Sequence, residues 1–531
     1  MAWPTVRAFL IAASRTIIVP AWLAALVLAQ LSNPALTYPG RDGGIFLYIG
    51  SLLLRGGVPY VDAWENKGPL VFLINALGLW LGDGSRWGVW LLEFLFLLFG
   101  SAVAYHALRR LWGQLAALIG AFVLITSAGN VLQGGNFSEE FSLLFTCMAA
   151  GFFLAGLTAP RRSLFPFGIG VTLGLNLLLR PNLISMPVAA LLTYLLIAAI
   201  NHDGRLFARR LLMLGVGCGA VVLPVLLYLA GRGALQEMFR IVWQFNVQYS
   251  QEAGSGRVLD GFLSASTGIG PWMIAPAAAG YVAGLLRIAK RAAMADSQTQ
   301  FLLLPLLGWP VEIVLSTLSG RNYLHYFIPW APYLGILCAY LAAVAIGRLP
   351  TPRPVVVAAA LLMALPALTA VPTWSDYRAV AEDVLSGADR IPEFEDPVAL
   401  FVRANSQPEE TVFVWGFRPI VNFTARRDAP VSYLPYPIVH VDTPLSRDWA
   451  EEFRVQLTSN PPVFIVNMIE DADRERIPDL DPAVRAEQKI RRQQVVLAEN
   501  LPEVLSFIEA NYIPVGMISG DTIYRLRTAT P

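Results

Sequence analysis

The sequence contains little cysteine and little charge. Its three cysteines all lie inside apolar runs, where a thiol behaves as a small hydrophobic group: Cys147, Cys218 and Cys338. They provide neither a disulfide framework nor the spacing of a zinc site. Charged residues make up 15% of the chain, against about 25% in a typical soluble domain. The formal net charge of +1 argues against nucleic acid as a partner.

Apolar residues, by contrast, are abundant. They account for 55% of the 531 residues, and the mean hydropathy is +0.54. A spanning helix needs roughly 20 mostly apolar residues. On that criterion the sequence predicts a polytopic α-helical membrane protein with about eleven transmembrane helices, at 14–32, 87–107, 113–130, 141–159, 164–180, 183–200, 211–230, 267–286, 301–319, 326–346 and 355–373.

Basic residues occur in every second segment outside these predicted helices. The basic segments contain Arg7 and Arg15, Arg109 and Arg110, Arg161 and Arg162, Arg205, Arg209 and Arg210, Arg287, Lys290 and Arg291, and Arg348 and Arg353. Because cytoplasmic loops carry an excess of lysine and arginine, the alternation predicts a cytoplasmic N-terminus, an odd number of spans and an extracytoplasmic C-terminus.

The two long outer loops are predicted to contain further helices. The first, 33–86, includes the apolar stretches Gly44–Leu54 and Pro69–Leu81. Runs of this length are too short to span and more often lie at the membrane interface. We therefore expect two juxtamembrane helices here. The second loop, 231–266, is expected to be partly helical at the outer surface.

After Trp374 the charge rises and the apolar runs shorten. Buried strands are predicted at Thr411–Trp415 and Val463–Val466, and a hairpin at Ile513–Ile518 and Thr522–Leu526. Helical patterns lie near 377–388, 443–458, 483–495 and 502–511. The sequence thus predicts a transmembrane module, 1–373, followed by a small soluble α/β domain, 374–531, outside the cytoplasm.

Carboxylates near the outer membrane edge are the first candidates for chemistry. Asp42 stands beside Arg41 just after the first predicted span, where it can stay ionised and accept a proton from a hydroxyl. The alternative is a structural Asp that caps a helix. Glu139 and Glu140 begin the fourth span. They point to different helix faces, so only one can face a shared cavity, and either can instead serve the helix dipole.

Cations and aromatic residues lie on the same outer side. Lys67 precedes Gly68-Pro69 at a predicted helix start, which favours phosphate binding, although a lysine at headgroup level is a common alternative. Arg180 and Arg321 are further candidates for phosphate. His325 either donates to a phosphate or is a satisfied interfacial histidine. Trp309, Trp330 and Tyr323 are interpreted as interfacial aromatic anchors.

These segments resemble a known family. Asp42 and its amphipathic run, Gly57-Val-Pro-Tyr60 and Trp64-Glu-Asn-Lys-Gly-Pro-Leu70 are similar to the first outer loop of the GT-C superfamily of membrane glycosyltransferases. The most similar group comprises the bacterial protein O-mannosyltransferases and aminoarabinose transferases. The resemblance covers about 1–346 and is clearest in 38–82. Arg321-Asn-Tyr-Leu-His-Tyr326 is similar to a motif before a late span of such enzymes.

The resemblance implies roles for individual residues. Asp42 matches the family's catalytic aspartate, and Lys67 matches a lysine that meets the donor phosphate. Glu139 or Glu140 falls where related enzymes place a second acidic residue, often Asp. Arg180 and Arg321 would be further partners of the donor phosphate. Besides these residues, His325 is a candidate for the donor phosphate from its own position, and Arg41, Tyr60, Asp62 and Glu65 are candidates in the substrate loop.

The activity implied is inverting transfer of a sugar from a polyprenyl-phosphate carrier to an acceptor hydroxyl at the outer face of the cytoplasmic (inner) membrane. The implied partners are the lipid-linked sugar donor, a glycan, lipid or protein acceptor, and membrane lipids, without nucleic acid. No cofactor is required, and a divalent metal is possible but not predicted.

Two other classes of function compete with this one. A transporter or flippase of a glycolipid also needs polar groups in the membrane, but it would place them near the bilayer midplane on broken helices. A non-catalytic envelope assembly protein would use its C-terminal domain to dock partners. Consumption of a carrier lipid distinguishes the enzyme from both.

Overall fold

The computed structural model of the protein describes residues 24, 31–251, 256–290, 296–348, 357, 374–387, 391–433, 443–475, 477–488 and 501–527. The predicted first and last spans, 14–32 and 355–373, lie almost entirely outside this part of the chain. The nine predicted spans between them all correspond to helices.

The helices of the membrane half follow one another with short connections. They are α1 (Arg41–Leu54), α2 (Pro69–Leu81), α3 (Arg86–Trp112), α4 (Gln114–Gly129), α5 (Ser138–Thr158), α6 (Leu164–Leu179), α7 (Ser185–Asn201), α8 (Gly204–Gly231), α9 (Leu235–Phe239), α10 (Asn246–Gln251), α11 (Arg257–Ile269), α12 (Pro271–Ile288), α13 (Ser297–Thr317) and α14 (Ala331–Ile346). A π-helical turn, Arg240–Phe245, joins α9 to α10, and a 3₁₀ helix, Leu324–Trp330, leads into α14. The expected helical content of both outer loops is confirmed.

Several of these helices are long and apolar enough to cross a bilayer. By length and composition, five helices of the described chain qualify: α3, α5, α8, α13 and the continuous segment Leu324–Ile346. A sixth arises if α11 and α12, bent by 117° at Gly270, form one broken span. Shorter apolar helices, α4, α6 and α7, occupy other predicted span positions. The protein is therefore a multi-pass membrane protein.

Small residues allow the membrane helices to pack closely. A Cβ at Gly170 of α6 would lie 2.0 Å from the carbonyl oxygen of Leu214, and one at Gly217 of α8 would lie 2.1 Å from that of Phe167. Lipid tails are as apolar as the helix surfaces, so the hydrophobic effect does not drive helices together in a membrane. Close backbone approach of this kind allows the van der Waals packing that does. Two tryptophans predicted as interfacial anchors are instead buried in this helical core: Trp309 and Trp330. That prediction was wrong, because apolar packing from neighbouring helices surrounds both rings.

The two helices of the first outer loop pack against each other. Gly50 of α1 sits where a Cβ would lie 2.9 Å from the backbone nitrogen of Ala76 in α2. Gly68 is the N-cap of α2, and Pro69 occupies its first turn, a position where proline's missing N–H costs nothing. The chain between the helices is thus held short and rigid.

The C-terminal part forms a four-stranded mixed sheet with helices. Its strands are β1 (Val412–Trp415), β2 (Phe464–Asn467), β3 (Tyr512–Ile518) and β4 (Asp521–Leu526), in the order β1-β2-β4-β3. The first pair is parallel and the others are antiparallel. Its helices are α15 (Trp374–Leu385), α16 (Pro397–Ala404), α17 (Ile420–Ala425), α18 (Pro444–Ser459), α19 (Pro482–Glu487) and α20 (Leu501–Asn511). The α/β prediction is confirmed; α16 and α17 are additional.

The sheet region and the first outer loop share one hydrophobic core. Trp64 packs edge-on against Trp449 of α18 at 5.5 Å between ring centroids, and against Phe245 at 5.2 Å. The backbone N–H of Trp64 donates to the carbonyl of Ser432 at 2.8 Å. The C-terminal part therefore forms the wall behind the loop that contains Lys67.

Candidate active site

Asp42 lies in the first turn of α1 and faces two basic side chains from elsewhere in the chain. Its Oδ2 is 3.4 Å from Nζ of Lys67 and 3.7 Å from Nε2 of His325. The Asp42 side chain remains 23% exposed, whereas Lys67 is 7% exposed. A carboxylate with this geometry is accessible to a small group that enters the site.

Lys67 is held by a dense set of polar contacts. Its ammonium lies 3.3 Å from Glu65 Oε1 and donates to Asn66 Oδ1 at 3.1 Å. The hydroxyl of Tyr60 donates to the carbonyl of Lys67 at 2.9 Å, and the N–H of Gly68 donates to Leu179 at the end of α6. The lysine is therefore buried as a fixed charge and does not extend towards lipid headgroups.

A second ion pair lies beside the first. The guanidinium of Arg180, directly after α6, forms an ion pair with Glu139 in the first turn of α5. The same guanidinium lies 4.2 Å from the ring centre of Tyr326, a cation–π contact. Ser138 donates a hydrogen bond of 2.8 Å to the Glu139 carboxylate. Both charges are buried, and each depends on the other for compensation.

Burial and neighbouring charges shift the pKa values of Asp42 and Lys67 in opposite directions. Burial by itself would raise the pKa of Asp42, but the positive charges of Lys67, His325 and Arg180 outweigh it and lower that pKa below its usual value. For Lys67, burial favours the neutral amine, yet Asp42 and Glu65 raise its pKa further above the ordinary lysine value. The Asp42–Lys67 pair therefore stays ionised at neutral pH.

Glu65 differs from Asp42 although it touches the same lysine. Burial raises the pKa of Glu65, the nearby Asp42 charge raises it further, and Lys67 only partly offsets these effects. The pKa of Asp42 is thus lowered and that of Glu65 is raised. Asp42 is therefore the ionised group, and Glu65 more readily holds a proton.

A strained loop brings the remaining pieces together. Gln133, Gly134, Gly135 and Asn136 all have positive φ angles, of 48°, 97°, 78° and 59°. Asn136 exchanges hydrogen bonds with Asn75 of α2, at 2.8 and 2.9 Å, and donates to the carbonyl of Gly43 in α1. An unfavourable backbone conformation that is held by this many contacts is typical of functional sites.

Most of the predicted site residues are brought together. Asp42, Glu65, Lys67, Glu139, Arg180 and His325 form one cluster, which we call the outer charge cluster. The guanidinium of Arg321 lies 5.3 Å from the ring centre of Tyr249. Tyr249 in turn lies close enough to Lys67 and Tyr326 to interact with them electrostatically. Arg321 therefore lies at the margin of the cluster.

Four other predicted residues point elsewhere or support the site indirectly. Glu140 faces Glu93 of α3, away from Arg180. Arg41 pairs with Glu470 and Asp473 of the C-terminal part. Asp62 accepts from the N–H of Val58 within an exposed turn. Tyr60 is buried beneath the loop and contacts it through the Lys67 carbonyl. The sequence predicts that only one of Glu139 and Glu140 can face a shared cavity, and in the structure Glu139 is the one that faces the cluster.

Several residues of the site were missed from the sequence. Asn66 and Tyr326 each adjoin a residue that was singled out, Lys67 and His325, so proximity within the motif was an available signal. Gln133 and Asn136 had no such signal apart from the glycines between them. Their contribution depends on chain segments that meet only in the folded molecule.

An apolar cavity of about 740 Å³ opens at the start of α2, directly after Lys67 in the chain. It begins at Gly68 and Pro69 and continues between α6, α8 and the outer segment. Leu178, Val222, Leu226, Phe239 and Trp243 are among its lining residues. An amphipathic ligand with a charged head at Lys67 would find apolar surface for its tail here.

A metal site in a protein needs at least three ligands. No group of three or more histidine, cysteine or acidic side chains in the described part of the chain has the geometry to hold a metal ion.

The fold and the sequence each match known glycosyltransferases. Residues 66–228 match the family model described as dolichyl-phosphate-mannose-protein mannosyltransferase. The structure is similar to that of ArnT from Cupriavidus metallidurans bound to undecaprenyl phosphate, with a TM-score of 0.60 and 16% identity over 99% of this chain and 98% of that one. The apo state of ArnT gives the same TM-score and identity, over 97% of this chain and 98% of that one.

A more distant match is the oligosaccharyltransferase of Archaeoglobus fulgidus tethered with an acceptor peptide. Its TM-score is 0.52, with 13% identity over 94% of this chain and 72% of that one. No curated protein matches the sequence of this chain at a significant level. The chain therefore has the GT-C fold, and the resemblance identified in the sequence is confirmed.

Proposed function

We propose that this protein is an inverting glycosyltransferase that moves a sugar from a polyprenyl-phosphate carrier to an acceptor hydroxyl. The observation that carries the proposal is the Asp42–Lys67 pair, which places an ionised carboxylate 3.4 Å from a buried ammonium. A transfer from a phosphate leaving group needs both a proton acceptor and a positive charge. The match of 66–228 to a mannosyltransferase family model supports the same activity.

The donor phosphate would bind at the cations of the outer charge cluster. Lys67, Arg180 and Arg321 carry three positive charges. Asp42 and Glu65 face Lys67, Glu139 faces Arg180, and Arg321 lies over the ring of Tyr249. An entering phosphodiester adds a negative charge that these cations attract, and arginine holds phosphate in a bidentate way. The polyprenyl chain would lie in the apolar cavity that begins at Gly68. Undecaprenyl phosphate bound to the structurally similar ArnT makes such a lipid a reasonable ligand.

Asp42 would act as the base in a single displacement. The acceptor hydroxyl loses its proton to Asp42 as its oxygen attacks the anomeric carbon. The bond from that carbon to the phosphate oxygen breaks, and its electron pair leaves with polyprenyl phosphate. Attack from the face opposite the leaving group inverts the anomeric centre. No step of this scheme uses a metal or an organic cofactor.

The proposed location is the outer face of the cytoplasmic (inner) membrane. The alternation of basic loops predicts a cytoplasmic N-terminus, and in that topology every residue of the outer charge cluster would lie on the opposite side. The C-terminal part, which packs against the Lys67 loop through Trp449, would then be extracytoplasmic and would form part of the acceptor side. The acceptor is a glycan, a lipid or a protein.

The test is release of free polyprenyl phosphate from a panel of polyprenyl-phosphate sugars by the purified protein with crude envelope material as acceptor. We expect release by the wild-type protein and a loss of about 10²–10⁴-fold in Asp42→Asn. Undecaprenyl phosphate should still bind to that variant, because the cations remain. Asp260→Asn, an exposed aspartate in α11, is the matched control and should keep the wild-type rate.

The outcomes separate the competing functions. Release at the wild-type rate by Asp42→Asn would remove the base assignment. Vesicle-to-vesicle or inside-to-outside movement of the intact donor, without release, would indicate a glycolipid transporter. Binding of donor without either release or movement would favour an assembly protein.

A further inference from the structure

After the transfer step Asp42 must lose the proton that it has accepted before the next turnover can begin. Lys67 and His325 are the basic side chains within 4 Å of the Asp42 carboxylate in the described part of the chain. An ammonium that already carries its three protons cannot accept another, and a guanidinium such as that of Arg180 cannot either. A neutral imidazole can. His325 is therefore the neighbour of Asp42 that is able to receive the proton.

The two nitrogens of His325 face different surroundings. Nε2 points to Asp42 at 3.7 Å and has no hydrogen-bond partner, although it is buried. Nδ1 lies 3.3 Å from Oε1 of Gln133, and the Gln133 side chain is exposed. One side of the ring thus borders the reacting carboxylate, and the other borders a polar group in contact with water.

The ring is also held in place. It stacks on Phe137 with 4.3 Å between centroids and 7° between planes, and it meets the edge of Tyr326 at 4.7 Å. Phe137 follows the strained loop that contains Gln133. Tyr323 also stacks on it, with 5.9 Å between centroids and 4° between planes. Because these three rings restrict its rotation during transfer, a proton crosses this site by entering at one nitrogen while another leaves from the opposite nitrogen.

Resting on the proposed function, we propose that His325 carries the acceptor's proton from Asp42 to solvent, receiving it at Nε2 and releasing one from Nδ1 past Gln133. Asp42 returns to its ionised form, and water takes the proton that leaves Nδ1, so each turnover releases one proton and one polyprenyl phosphate. The imidazole is left neutral with its hydrogen on Nε2, and proton exchange with water on both sides of the ring, once the product has left, restores the Nδ1–H form. Gln133 is a positioning residue, since its amide can meet Nδ1 whether that nitrogen bears hydrogen or not.

The charges around the ring are consistent with a transient imidazolium. Asp42 and Glu139 provide two carboxylates that favour the charged ring, whereas Lys67 and Arg180 provide two cations that oppose it. The phenols of Tyr323 and Tyr326 also face it. Burial of the ring also opposes the charged form, so the two carboxylates are the groups that would stabilise an imidazolium while it exists.

The first experiment measures donor turnover in His325→Gln. We expect a loss of about tenfold or more, partial restoration of the rate by imidazole added to the buffer, and unchanged binding of undecaprenyl phosphate. His106→Gln, at an exposed position in α3, should behave as wild type. A wild-type rate in His325→Gln, or a loss that imidazole does not restore at any pH, would overturn the relay. Weakened binding of undecaprenyl phosphate with a normal maximal rate would overturn it in favour of phosphate binding.

The second experiment needs no turnover and so remains informative if no donor is consumed. Protein labelled with ¹⁵N-histidine has four histidines, and the His325→Gln variant assigns the signal of His325. In Asp42→Asn the midpoint of that signal should move to lower pH, because the carboxylate that favours the imidazolium is gone. An identical midpoint in wild type and Asp42→Asn would show that Nε2 does not share a proton with Asp42. Failure of donor release together with a shifted midpoint would reject the proposed function and retain the Asp42–His325 contact.

Discussion

At the scale of single residues, the site is organised by pairs of unlike neighbours. Asp42 and Glu65 touch the same lysine, but one is the lasting anion and the other has a raised pKa. Glu139 and Glu140 are adjacent in sequence, yet one pairs with Arg180 and the other faces Glu93. Each difference follows from the environment of the side chain, because the residue types are nearly the same.

The charge state of Asp42 should depend on Lys67. Lys67 contributes most to the lowered pKa of Asp42, so its removal leaves burial to raise that pKa. We expect the Asp42 carboxylate to gain its proton at a higher pH in Lys67→Met than in the wild type, because only His325 and Arg180 remain to oppose the effect of burial. Infrared difference spectra against Asp42→Asn report the carboxylate and acid bands.

The lowered pKa of Asp42 also makes the stability of the fold depend on pH. A carboxyl with a lowered folded-state pKa stabilises the fold above its unfolded pKa, and this contribution is lost as the pH falls through the folded value. Lys67→Arg preserves the positive charge and is the matched control; its Asp42 titration should resemble the wild type. Identical titrations in Lys67→Met and Lys67→Arg would contradict the electrostatic account.

The two adjacent glutamates should respond differently to the same substitution. Glu139→Gln leaves the buried guanidinium of Arg180 without its counter-ion, and breaking a buried pair typically costs about 3–5 kcal/mol. Glu140 faces Glu93 and is not the counter-ion of Arg180, so Glu140→Gln leaves that buried guanidinium paired. We therefore expect a smaller loss of stability. Thermal unfolding in detergent, with donor turnover as a second readout, compares the two. Equal losses would show that the Glu139–Arg180 ion pair does not contribute more to the free energy of unfolding than the Glu140–Glu93 contact does.

At the scale of secondary-structure elements, glycines determine how the Lys67 loop meets α6. A Cβ at Gly68 would lie 2.2 Å from the carbonyl oxygen of Leu178, and the backbone of Gly68 already donates to Leu179. The loop and the end of α6 therefore touch through their main chains. This contact sets the separation between Lys67, just before Gly68, and Arg180, just after α6.

Gly68→Ala should disrupt the site more than its size suggests. The added methyl group collides with backbone, which cannot rotate away, so the loop must shift and Lys67 must move away from Arg180. We expect a large loss of donor turnover with a lowered melting temperature. Gly215→Ala, in α8, is the control because nothing lies within 4 Å of its Cβ position. It should be neutral or stabilising by roughly 0.5–1 kcal/mol, as alanine favours helix over glycine. Normal turnover in Gly68→Ala would show that the loop tolerates displacement.

At the scale of the whole molecule, the C-terminal part is joined to the membrane half by packing and charge. Trp449 of α18 is fully buried against Trp64 and Phe245. Ion pairs reinforce the junction, between Arg41 and Glu470 and between Arg55 and Asp428. Arg41 thus serves the assembly of the two parts, whereas its neighbour Asp42 serves the site.

Truncation of Trp449 should loosen this junction. Removal of a buried tryptophan side chain typically costs about 3–5 kcal/mol, and here the lost contacts include the Trp64 face of the Lys67 loop. We expect Trp449→Ala to melt at lower temperature and to become sensitive to limited proteolysis between the two parts. Val455→Ala, on the same helix but 46% exposed, should change little. Unchanged stability of Trp449→Ala would mean that the sheet region does not support the loop.

The sequence by itself determined the class of the molecule. Nine predicted spans correspond to helices, and the strands of the C-terminal part were placed within a residue or two. Both depend on runs of apolar residues, which report burial directly. Asp42 and Lys67 were also singled out from the sequence, because charges at a membrane edge are costly enough to stand out, and the structure places the two side chains 3.4 Å apart.

Only the tertiary structure decided which charged groups meet. Nothing in the local pattern places Gln133 beside His325, turns Glu139 rather than Glu140 towards Arg180, or directs Arg41 to Glu470 and Asp473. Trp309 and Trp330 were likewise misassigned, because a tryptophan in an apolar run looks the same whether lipid or protein surrounds it. Residues far apart in sequence come together through helix packing, and the energy of a buried charge depends on those distant partners.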